Sequence, residues 1–111
     1  MDGLEAVHKA SASFPSHELF GLTSQIRRAA YSVALNISEG YKRRRYPRDF
    51  LRQLITAHGS AAEVECAIEI AVRLKYIATN DGRTIWKQYD ELGRMLEGLI
   101  KSVESDVEKA R

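Results

Sequence analysis

Apolar residues recur along this chain at intervals of three and four, the period of an α-helix, and no segment alternates as a strand would. Leu22, Ile26, Ala29, Val33 and Ile37 mark one face of a helix over 22–39, and Ala30, Ala34 and Leu35 widen it. A second helix is predicted from Pro47 to about Tyr76. Its inward stripe starts at Phe50 and Leu54, passes through Ala61, Val64 and Ile68, and ends at Ala71 with Val72 or Leu74. A third series begins near Thr79. Ile85, Tyr89, Leu92, Leu96, Leu99, Val103 and Val107 form a heptad-like seam, with Trp86, Met95 and Ile100 beside it. Before these lies a short, weak helical segment from Asp2 to about Ser13, carrying Leu4, Val7 and His8 at helical spacing.

Punctuation falls between the segments. Pro15 holds Phe14 in an extended or turn conformation. Gly40 is placed to stop the 22–39 helix in a left-handed conformation. Pro47 suits a first helical position, and Asp49 then lies near the positive helix end. Thr79 or Asn80 is expected to cap the last helix, with Asp81 in its first turn. Gly59 and Ser60 fall in mid-helix, where glycine costs up to about 1 kcal/mol, so a close approach of another backbone or a slight kink is expected there. Short connections between long helices predict an all-α, antiparallel up-and-down four-helix bundle with a short first helix. The 111 residues suit one domain spanning 1–111. A stunted first helix leaves apolar surface uncovered, which is a reason to expect self-association.

Composition changes this picture little. The chain is 44% hydrophobic and 29% charged, the balance of a globular protein. No apolar run is long enough to span a membrane, and the N-terminal "MDGLEAVHKA" lacks the pattern of a secretory signal. A cytoplasmic location is expected, and Cys66, the one cysteine, is read as a buried small residue.

Charge changes it more. Lys42 to Arg48 holds five cations in seven residues, with Tyr41 and Tyr46 beside them. From Arg27 to Arg52 eight cations (Arg27, Arg28, Lys42, Arg43, Arg44, Arg45, Arg48, Arg52) face two acids. That window carries +6, which leaves −4 for the rest of a chain whose total is +2. Such a cluster can neutralise phosphates while the tyrosines stack on bases. It can equally be a solvated loop, or pair with acids of a neighbouring subunit. Arg27 and Arg28 lie about three helical turns from the cluster and belong to it less securely.

Other chemistry finds less support. "QIRRAAYSVALNISEGYKRR" has a faint helix-turn-helix look, but the apolar stripe runs unbroken to Ile37 and favours one continuous helix. Glu5 and His8 have Glu-x-x-His spacing, yet no second such pair exists for a di-iron site. Glu65 and Glu69 are read as a solvated or inter-subunit face, and His17 and His58 as surface or packed histidines. No nucleophile elbow, phosphate loop or dinucleotide fingerprint is present. Neither a metal nor a cofactor is expected.

The run "FPSHELFGLTSQIRRAAYSVALNISEGYKRR" followed by "DFLRQLITAHGSAAEVE" resembles the bacterial four-helix-bundle proteins of the 23S rRNA intervening-sequence family, also labelled S23 ribosomal protein. The shared pattern is Phe14, Pro15, Glu18, Gly21, Leu22 and Gln25 to Ala30, then Asn36, Ile37, Glu39 and Gly40, then Phe50, Ala57, Gly59, Ser60 and Glu63. It spans about Phe14 to Ile77. The resemblance implies a four-helix bundle, a ring-forming homo-oligomer with a pentamer as the leading expectation, and a link to RNA. Three departures stand out. The family's longer first helix with a V-W-Q-like stretch is not matched, Tyr46 stands where a capping serine is expected, and Lys42, Arg44 and Arg45 are extra cations.

The resulting expectation is a non-enzymatic, oligomeric helical bundle that binds RNA or other nucleic acid through the Lys42–Arg52 region. The alternative is a structural scaffold for a protein partner, its basic loop pairing with Glu63, Glu65 or Glu69 of the next subunit. A small enzyme is the third reading. No membrane partner is expected.

Overall fold

Four α-helices carry the chain in this computed structural model, which describes residues 2–110: α1 (Asp2–Ser11), α2 (Leu22–Lys42), α3 (Pro47–Arg73) and α4 (Thr79–Lys109). A single 3-10 turn, Ser16–Glu18, lies between α1 and α2, and no strand occurs among the described residues. Each helix packs on its neighbours in the order α1, α2, α3, α4 and back to α1, while α2 and α4 face each other across the diagonal. Gly40 of α2 lies against Phe50 and Gln53 of α3, and Glu69 of α3 lies against Trp86 of α4. Such reversed pairings make successive helices antiparallel, and the bundle is of the up-and-down kind.

The helices differ greatly in length. α1 has 10 residues and α4 has 31, which is about 15 Å against about 46 Å of axis. The core divides accordingly. Where all four helices meet, Val7 of α1, Ile26 and Val33 of α2, Val64 and Ile68 of α3 and Ile85 and Tyr89 of α4 are buried together. Beyond the start of α1 only three helices remain, and a second cluster of Leu54, Ala57, Leu96 and Val103 fills a thinner core. Between α2 and α4 at that step lies an open trough of about 500 Å³, with Leu4, Val33, Ile37 and Leu92 among its walls. The members of the second cluster are themselves buried, but apolar side chains beside it are left uncovered where the fourth side is missing. Leu35, Met95 and Leu99, expected on inward stripes, are 66%, 71% and 41% exposed.

Several boundaries differ from the sequence expectation for identifiable reasons. α1 ends at Ser11, and the Ser11 and Ser13 hydroxyls donate back to the His8 and Ala10 carbonyls. Gly40 does not stop α2: the helix runs on to Lys42, and no glycine has positive φ. Its role is close approach, since a Cβ there would lie 3.2 Å from both Gln53 Cβ and Phe50 Cδ1 of α3. Gly59 is the reverse case. A Cβ there would meet nothing within 4 Å, so close packing in this chain does not explain it, and α3 runs through it without a break. The packed member of the pair is Ser60, whose hydroxyl lies 2.7 Å from that of Ser32 on α2. Cys66 is exposed, not buried, because it falls on the outer face of α3.

α3 stops at Arg73 rather than Tyr76. Lys75 turns left-handed at φ 63°, and the Tyr76 and Lys75 N–H groups donate to the Ala71 and Val72 carbonyls at 2.8 and 3.0 Å. That paired return is a Schellman cap, with lysine in the place glycine usually takes. α4 begins at Thr79 after Ala78, so neither Thr79 nor Asn80 caps it, although Asp81 does lie in its first turn.

Candidate nucleic-acid interface

The basic cluster occupies the thin end of the bundle. α2 delivers Lys42, the connection 43–46 delivers Arg43, Arg44 and Arg45, and the first turns of α3 deliver Arg48 and Arg52. The chain turns tightly here: the Arg43 N–H reaches back to the Gly40 carbonyl at 3.0 Å and the Tyr46 N–H to the Arg43 carbonyl at 2.8 Å. Pro47 stands in the first turn of α3 as its missing N–H allows. Tyr46 precedes it with no side-chain cap.

The cations fall into two groups. Arg43 and Arg52 share Asp49, at 3.8 and 2.8 Å, and Arg43 also meets Glu39 at 3.2 Å. Lys42, Arg44, Arg45 and Arg48 have no carboxylate partner among the described residues. The Arg44 guanidinium lies 4.1 Å over the Tyr41 ring and donates to the Tyr41 carbonyl at 2.9 Å. Arg45 lies 5.9 Å from the Tyr46 ring centre. Both rings are well exposed, Tyr41 at 61% and Tyr46 at 60%. The end therefore presents unneutralised cations interleaved with exposed aromatic faces, and such a surface favours phosphates and unstacked bases.

Arg27 and Arg28 stand apart, about 20 Å back along α2 from Lys42. Arg28 is exposed, whereas Arg27 is half-buried, and its Nε–H donates to the Ser11 hydroxyl at 2.8 Å. Arg27 thereby ties α1 to α2.

The motif at the start of α2 is structural. Phe14 is buried with its ring 5.8 Å from that of Tyr76. One Glu18 oxygen accepts the Leu22 N–H at 3.1 Å, and the other accepts the Tyr76 hydroxyl at 2.8 Å. A Cβ at Gly21 would sit 2.6 Å from the Glu18 carboxylate, so a larger residue there would push Glu18 off its two bonds. The Tyr76 hydroxyl and the Leu22 N–H hold the Glu18 carboxyl below its ordinary value, and the same bond to Glu18 raises the Tyr76 phenol. In the same way Asn36 Nδ2 donates to the Ser32 carbonyl at 2.8 Å, beside the Ser32–Ser60 contact.

A further polar cluster lies between α3 and α4. His58 Nε2 is 3.2 Å from Glu97 Oε1, and partial burial, with Asp90 and Glu69 nearby, pushes the Glu65 carboxyl upward. Among the described residues no three His, Cys, Asp or Glu side chains are arranged to hold a metal. No described helix is long and apolar enough to cross a membrane. From the sequence Trp86 reads only as a residue beside the α4 seam, and its grouping with Arg83 and Lys87 is not drawn. The repeated cation of Arg83 and Lys87, one turn apart, is the signal that marks them.

A helical bundle with one strongly basic end is the class this geometry defines. The family model described as "23S rRNA-intervening sequence protein" matches residues 1–98, and the chain belongs to that family. A similar solved structure is that of a protein with unknown function from the S23 ribosomal protein family, from Bacteroides thetaiotaomicron. It is 25% identical, superposes with a TM-score of 0.71, and is matched over 86% of this chain and 98% of its own. A comparison with curated proteins finds no match.

Proposed function

We propose that this chain is a non-enzymatic, self-associating helical bundle that binds RNA or other nucleic acid through its Lys42–Arg52 end. The observation that carries the reading is the set of cations without an ion pair among the described residues, Lys42, Arg44, Arg45 and Arg48, standing beside two exposed tyrosine rings. The family's description as a 23S rRNA-intervening sequence protein adds weight on the RNA side. Self-association is supported by apolar side chains left on the outside, above all Phe20 at 93% exposure, with Leu35 and Ile55. A ring, with the pentamer as its expected form, would repeat the basic end around an axis and raise avidity without new contacts.

The test is fluorescence anisotropy with single-stranded RNA and duplex DNA over a salt series, beside R43E/R44E/R45E. Light scattering checks that the variant keeps the wild-type assembly. Binding is expected to fall steeply with salt, and losing Arg44 and Arg45, which have no ion pair among the described residues, should flatten the log–log slope for a single strand by about 1.4. Absence of binding to either polymer at physiological salt, with assembly intact, overturns the reading. It would favour the second one, a scaffold for a protein partner, for which the exposed Phe20 face is the supporting observation.

A further inference from the structure

The opposite end of the bundle carries a groove of about 550 Å³ between the end of α3 and the start of α4. Its apolar walls are Ile68, Val72 and Trp86. Gly82 makes the groove possible: a Cβ there would collide with Val72 Cγ2, so α4 settles onto α3 only with glycine. Trp86 packs partly against the core while lining the groove, and its indole N–H donates to Glu69 at 3.1 Å.

Three cations surround these walls, Arg73 from α3 and Arg83 and Lys87 from α4. None of them is in an ion pair among the described residues. Arg83 and Lys87 are one turn apart on one face, where like charges repel. Local helix energetics therefore disfavours this placement, and an anion in the groove would relieve it. Against the one carboxylate lining the groove, Glu69, the three cations leave a surplus of two positive charges.

We infer that this groove takes one nucleotide unit of a single-stranded nucleic acid. The base lies along Trp86 and the apolar walls, and the phosphate lies among Arg73, Arg83 and Lys87. Two guanidinium groups suit phosphate oxygens better than point charges do, and an indole face accepts any base. The site is separate from the basic loop. Arg73 stands 26 residues along α3 from Pro47, about 39 Å away.

Trp86 is the only tryptophan of the chain, so its fluorescence reports this groove directly. Tetrauridylate is titrated at low salt into R43E/R44E/R45E protein, which lacks the loop cations. A saturable quench is expected, weakened at least fivefold when R83E/K87E is added and not reproduced by inorganic phosphate. R83Q/K87Q gives the same weakening without charge reversal, and circular dichroism confirms that both variants are folded. No quench at millimolar tetrauridylate, or an equal quench in folded R83Q/K87Q protein, overturns the inference. So does an equal quench by phosphate, which would leave an anion site with no base contact. The anisotropy lost between wild type and R43E/R44E/R45E reads the loop, and the Trp86 quench reads the groove, so either site can fail alone.

Discussion

Two connections reverse the chain between long helices, and they solve the problem in opposite ways. The α3–α4 turn is held by the core. Ile77 packs inward, Tyr76 meets Phe14 and Glu18, and the helix end is closed by a Schellman cap. The α2–α3 turn is held by little beyond its own backbone bonds and exposed ion pairs around Asp49. Exposed pairs of this kind contribute at most about 1 kcal/mol each. A turn at the four-helix end can anchor Tyr76 and Ile77 on the core while Leu74, Lys75 and Ala78 stay exposed. One at the three-helix end has no core to join, and its residues are left facing water and partners.

The largest expected effect breaks this comparison at the core-anchored turn. Phe14→Ala removes a buried ring from the turn's contact with Tyr76 and is expected to cost about 3 kcal/mol in a urea melt. A loss below about 1 kcal/mol would mean that the turn is not held by the core. R43E/R44E/R45E, at the other turn, breaks only exposed Arg43 pairs and should cost no more than about 1 kcal/mol.

Next come the two helix ends. Lys75→Gly relieves the left-handed lysine and is expected to stabilise the fold by up to about 1 kcal/mol. Tyr46→Ser supplies a missing cap to α3 and should stabilise it by about 0.5–1 kcal/mol. Equilibrium unfolding of both variants checks the pair. Destabilisation by Lys75→Gly would show that the Lys75 side chain contributes more than its backbone costs.

The smallest effect is in acid. The folded-state pKa of Glu18 is depressed below the ordinary 4.5 by the Tyr76 and Leu22 bonds. Its contribution is therefore present above that value and is lost as pH falls through the depressed one. Melting temperature followed from pH 6 to 2 should drop less steeply in Glu18→Gln than in wild type. Parallel curves would remove Glu18 from the turn's stability.

Much of the architecture was legible in the sequence because helical periodicity is a local property. The stripes through Ile26, Val33, Val64 and Ile68 turned inward as their spacing requires, and Pro47 took the start of α3. Gly40 misled because glycine serves both as a helix stop and as a close-packing residue, and only the position of Phe50 and Gln53 decides between them. Met95 and Leu99 misled because an inward stripe is buried only where a neighbour covers it, and Leu35 because it stands about 200° around the helix from Val33, on the outer face with Phe20 and Tyr31.

The candidate surface was legible in the same unequal way. Sequence alone determined that six cations gather around one short connection, because neighbours in the chain are neighbours in space there. Helical spacing alone pairs Arg43 with Glu39 and Arg52 with Asp49; tertiary structure added the Arg43–Asp49 contact across the turn and set Arg27 against Ser11. It also brought Arg73 beside Arg83 and Lys87 and set Trp86 against Glu69. Those last pairings join residues from two helices across a turn, and their contact depends on how α4 settles on α3 at Gly82. Periodicity gives a helix its face, but the crossing of two helices is set by the side chains that meet there.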